Sequence, residues 1–106
     1  MAFSLEKLAE IIAERARSGA GKSYTKELLD AGIEKCAKKL GEEAVETTLA
    51  ALSGKPAALV AESADLLYHL LVLLQARGVP LSDVLAELER RTVRSGLEEK
   101  ALRGKG

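Results

Sequence analysis

The chain, 106 residues and 11.3 kDa, has room for a single domain. Sixteen Lys and Arg against sixteen Asp and Glu give zero formal net charge, which argues against a nucleic-acid binder working by bulk attraction. An apolar fraction of 47% excludes a mainly disordered chain, and a lone cysteine, Cys36, excludes an internal disulfide framework.

Nineteen Leu and seventeen Ala, beside only three aromatic residues and two prolines, predict an all-α fold. The first helix runs from about Ser4 to Arg17, with Leu5, Leu8, Ile11 and Ile12 as its apolar stripe and Ser4 as N-cap. A loop of small residues follows, Ser18 to Ser23, in which two glycines stop the helix. The second helical block starts near Ser23 or Thr25 and ends at about Leu52, with a break or bend expected near Gly32. The third spans about Ala57 to Arg77 and stops at Gly78-Val-Pro80. The fourth begins with Ser82 as N-cap, carries Val84, Leu85 and Leu88, and ends near Arg94 to Gly96. The domain is thus expected over residues 1–96, followed by a charged tail at 97–106.

The third block is long and apolar enough to suggest a membrane span. Glu62, Asp65 and His69 in its middle argue otherwise, since each central acid costs about 2.5 to 3.5 kcal/mol to insert. It reads instead as a helix covered on most sides, and four helices of this size cannot cover it alone. A second copy completing the cover is expected, hence a homodimer. MAFSLEKLAE lacks a basic segment followed by an apolar run, so a cytoplasmic setting is the default expectation.

At about 100° per residue, Glu62, Asp65 and His69 share a sector roughly 60° wide, and leucines occupy most of the rest. A carboxylate on such a helix must be paired or hold a metal, and two acids one turn apart repel each other. The second block has the matching pair. Its apolar line is Ile33, Cys36, Ala37, Leu40 and Ala44, flanked by Lys39, Glu43 and Glu46, with Glu42 on the solvent side. If these blocks form an antiparallel pair, Glu43, Glu46, Glu62 and Asp65 converge. Mg²⁺ fits four oxygen-bearing acids and keeps water positions open for a phosphate. An ExxE on a solvated helix face, or a salt bridge from Lys39 to the acids, is the plainer alternative.

SYTKELLDAGIEKCAKKLGEEAVETTLAAL and ESADLLYHLLVLLQARGVPLSDVLAEL resemble the phosphoribosyl-ATP pyrophosphatases, from about Leu5 to Arg94. Glu43-x-x-Glu46 and Glu62-x-x-Asp65, separated by 15 residues, match the ExxE…ExxD signature of the all-α NTP pyrophosphohydrolases. Ser23-Tyr24-Thr25, Lys38-Lys39-x-Gly41-Glu42-Glu43 and Asp65-Leu-Leu-Tyr68-His69 narrow the resemblance to this family. It implies an all-α bundle of four to five helices, active as a homodimer, with Mg²⁺ on the acidic quartet. It also implies hydrolysis of phosphoribosyl-ATP between the α and β phosphorus atoms, giving phosphoribosyl-AMP and pyrophosphate in the second step of histidine biosynthesis. Glu46 is the expected acceptor of the attacking water's proton.

Lys39 is expected to meet phosphate, followed by Lys35, with Lys22 as a further point charge. Ser23, Tyr24 and Thr25 lie where a helix start favours anions, and His69 either binds phosphate or supports Asp65. The run Ala16 to Ser23 imitates a phosphate loop but has Ala where the first Gly belongs and follows a helix rather than a strand. Two other readings stay open at this point. One is a relative acting on a common nucleotide such as dUTP or dCTP, the other a non-catalytic helical dimer.

Overall fold

A computed structural model describes residues 2–18, 23–93, 100 and 103. Among the described residues five helices follow in chain order: α1 (Leu5–Arg17), α2 (Tyr24–Ala31), α3 (Ile33–Leu52), α4 (Pro56–Arg77) and α5 (Leu81–Thr92). The fold is all-α. The second block of the sequence divides at Gly32, whose φ of 103° suits glycine and both ends α2 and starts α3. At Gly41 the helix runs on unbroken.

The caps explain the other boundaries. Ser4 Oγ accepts from the Lys7 amide at 3.1 Å, and Ser23 Oγ accepts from that of Lys26 at 3.0 Å. Pro56 opens α4 in the first turn, where a missing N–H costs nothing. Gly78, in the left-handed region, closes it as the Val79 amide donates back to Leu74 O at 2.9 Å. The expected Ser82 cap is corrected: Pro80, with extended backbone, takes that position and Ser82 lies inside the first turn. The helix ends at Thr92, short of the expected Arg94. The expected tail lies, except for Lys100 and Arg103, outside the described residues.

The long helices α3 and α4 form the central hairpin, turning over Ser53 to Lys55. α1 packs on α4, α2 sits against α1, α3 and α4, and α5 rests mainly on α1. Ile12, Leu28, Cys36, Leu71 and Val72 make the buried core, drawing on four helices. Ile33 and Ala37, read from the sequence as part of an apolar line, are exposed, and so is Leu88. Cys36 is a packing residue: its thiol donates to Leu28 O at 3.3 Å, and burial raises its pKa. Ile12 is 1% exposed. Ile12→Ala should therefore cost about 3 kcal/mol of folding stability, read by urea denaturation.

On α5, Glu87 accepts from Arg90 Nε at 3.1 Å and from Arg91 Nε at 2.9 Å. Hydrogen bonds from Arg90 and then Arg91 lower its pKa to about 2. Because the folded-state value is depressed, this contribution is complete above the ordinary carboxylate range and is lost as pH falls toward 2. Glu87→Gln should thus lower stability slightly at pH 6 and not at pH 2, measured by thermal unfolding; solvent screening keeps the effect small.

Candidate active site

α4 has the length and mean hydropathy of a membrane span, yet it is the partner of α3, and its acids face that helix. One oxygen each from Glu43, Glu62 and Asp65 lies within 4.8 Å of the others. The three grade from buried Glu43 through half-buried Glu62 to exposed Asp65, so the cluster opens to solvent on one side. Glu46, one turn beyond Glu43, is exposed and lies outside this three-oxygen group, with its carboxyl acting on Glu62. Burial raises the pKa of Glu62, reinforced by the neighbouring carboxyl of Glu46 and then by the charges of Glu43 and Asp65.

Glu43 Oε2 and Glu62 Oε2 are buried with no hydrogen-bond partner among the described residues. Orphaned carboxylate oxygens are costly in a folded interior, and acids that repel one another compound the cost. Among the described residues no cationic side chain pairs with them: the Lys39 ammonium pairs with Glu42 at 3.5 Å. The donor set, all oxygen and all anionic, fits a hard divalent cation.

Thr47 fixes the spacing of the two helices. Its hydroxyl lies 2.7 Å from Glu43 O and 3.1 Å from Glu62 O, sharing one proton between carbonyls of α3 and α4. Sequence reading missed this residue. The available signal was a β-branched polar side chain four residues after Glu43, on nearly the same helical sector.

His69 is buried. Its Nδ1 lies 2.8 Å from Asp65 O, which can only accept, so Nδ1 carries the proton. Nε2 is then the acceptor of the Tyr24 O–H, at 3.2 Å. The hydroxyls of Thr25 and Tyr68 are hydrogen-bonded to each other. Thr25 is 1% exposed, whereas Tyr24 is half open to solvent. Ser23 has its side chain engaged in capping, Lys35 is exposed, and Lys22 lies outside the described residues. The pKa of Lys39 is raised, first by Tyr24 and then by Glu42, with Glu43 adding less.

The family model of the phosphoribosyl-ATP pyrophosphohydrolases matches residues 5–92, which include every acid of the cluster. The chain belongs to this family. It is accordingly an enzyme, a hydrolase acting on phosphorus-containing anhydrides. Among its relatives is a phosphoribosyl-ATP pyrophosphatase of Azorhizobium caulinodans, 62% identical over 94% of this chain and 92% of the relative. Phosphoribosyl-ATP pyrophosphatase 1 of Bradyrhizobium diazoefficiens is 59% identical over 95% of each chain. A phosphoribosyl-ATP pyrophosphatase of Parvibaculum lavamentivorans is 58% identical over 97% of this chain and 94% of its own.

Proposed function

We propose that the chain hydrolyses the α–β phosphoanhydride of phosphoribosyl-ATP, releasing phosphoribosyl-AMP and pyrophosphate, as a Mg²⁺-dependent, cytoplasmic enzyme of histidine biosynthesis. One observation carries the metal dependence: the two orphaned oxygens of Glu43 and Glu62, gathered with Asp65 and, among the described residues, without a cationic side chain. Glu43, Glu62 and Asp65 would hold the ion. When bound, Mg²⁺ supplies positive charge to phosphate oxygens and to the pyrophosphate leaving group.

The chain's own groups do the remaining work. Glu46, exposed beside Glu62 and outside the three-oxygen group, is the carboxylate best placed to take a proton from an attacking water. Lys39, one turn before Glu43, brings positive charge to the substrate phosphates; Lys35 lies one helical turn earlier and more exposed. His69 and Thr25, with their polar atoms engaged inside the chain, hold the α2 start against α4.

The working unit is a homodimer. Val45, Leu49 and Leu52 form a stripe on α3 facing away from α4, and Val60 and Leu67 lie on the α4 side opposite Glu62. All five are exposed, and only 17% of the apolar stretch of α4 is buried within one chain. Apolar side chains left uncovered on both long helices suit contact with a second copy.

Turnover of phosphoribosyl-ATP with and without Mg²⁺, following pyrophosphate, tests the reading. Release only with the ion, and faster than from dUTP, dCTP or ATP, is expected. Preference for a common nucleotide would overturn the substrate assignment.

A further inference from the structure

The chain has two tyrosines, one histidine, one phenylalanine and no tryptophan. Both tyrosines and the histidine meet in one place, although Tyr24 is 45 residues from His69. The Tyr24 and Tyr68 rings stack with centroids 6.2 Å apart and planes 20° apart. His69 stands edge-on to both, at 5.9 Å from Tyr24 and 5.0 Å from Tyr68. Behind Tyr24 every polar atom is engaged: its hydroxyl donates to His69 Nε2, His69 Nδ1–H to Asp65 O, and the Tyr68 hydroxyl is bonded to buried Thr25. Tyr24 itself is 50% exposed.

An aromatic ring pinned at its hydroxyl, backed by a second ring and open on its outer side, has the properties of a stacking platform. Pinning also lessens the rotamer freedom that a ligand would otherwise have to remove. The platform adjoins the acids, because the residue that orients it, His69, is bonded to the main chain of Asp65. We propose that Tyr24 contacts the purine of the substrate through its outer ring face, with Tyr68, His69 and Thr25 as the positioning residues that hold it. This deepens, and rests on, the assignment of phosphoribosyl-ATP as substrate. No lysine or helix terminus is needed to recognise the base.

The experiment compares kcat and KM for phosphoribosyl-ATP, with Mg²⁺, in the wild type, Tyr24→Leu, Tyr24→Phe and Tyr68→Phe. Inhibition by inorganic pyrophosphate, which has no base, is measured alongside. Tyr24→Leu should raise KM about tenfold with kcat nearly unchanged, the pattern of a lost uniform binding contact. Tyr24→Phe keeps the ring face and Tyr68→Phe loosens only its backing, so each should raise KM by no more than about threefold. Pyrophosphate inhibition should stay the same throughout. An unchanged KM in Tyr24→Leu, or an equal weakening of pyrophosphate inhibition, overturns the stacking contact alone. No turnover of phosphoribosyl-ATP by the wild type overturns the substrate assignment and this contact with it.

Discussion

Glu62→Gln combined with Asp65→Asn is expected to lower Mg²⁺-dependent turnover at least about a thousandfold while leaving the helices intact and the metal-free protein more stable. The loss of activity follows from removing two of three clustered anions, since single groups stabilising developing charge are each worth roughly 10² to 10³ in rate. The gain in stability follows from Glu62. Its pKa is raised in the folded chain by burial and by Glu46, Glu43 and Asp65. Above the ordinary carboxylate range, and up to that raised value, the folded state holds a proton that the unfolded chain has released. Stability of the metal-free wild type therefore falls as pH rises through this window, and the double variant should escape that fall. Mg²⁺ should restore wild-type stability by binding only the folded state, about 2.7 kcal/mol at a hundred times Kd, and should do nothing for the variant. Thermal unfolding at several pH values, with EDTA or Mg²⁺, reads all of this. A wild type indifferent to Mg²⁺, or a variant that still turns over, refutes the metal assignment.

The second large effect concerns association. Leu49→Glu with Val60→Glu places one charge on an exposed apolar position of each long helix, two per chain. In a homodimer these four carboxylates would be buried and unpaired, so the dissociation constant should rise at least a hundredfold. Both positions face away from the buried core, and each monomer should keep its helical content. Sedimentation of the wild type should give a dimer and of the variant a monomer. A monomeric wild type would remove the basis for the homodimer.

The helices were legible in the sequence because leucine periodicity, serine caps and glycine stops all agree, from Ser4 through Gly32 to Gly78. Ser82 misled because a serine before an apolar run has the chemistry of a cap, while Pro80, which has no side-chain acceptor, starts the helix by its fixed backbone angle. The approach of Glu43 to Glu62 and Asp65 could be inferred from paired acids on helices joined by a short turn. Their graded exposure could not, because it depends on how far each carboxylate sits within the α3–α4 seam. Lys39 was readable as a neighbour of Glu43, yet its pairing with Glu42 depends on a side-chain rotamer. The Tyr24, Thr25, Tyr68 and His69 contacts join segments more than 40 residues apart and follow only from the packing of α2 on α4.

The Thr47 hydroxyl grips main-chain carbonyls of both long helices, beside acids that push each other away. Carboxylate rotamers can change without altering that grip, whereas the rails that carry them stay at one gauge. The electrostatic work of bringing like charges together is thus done when the chain folds, and the pocket is preorganised before any ligand arrives.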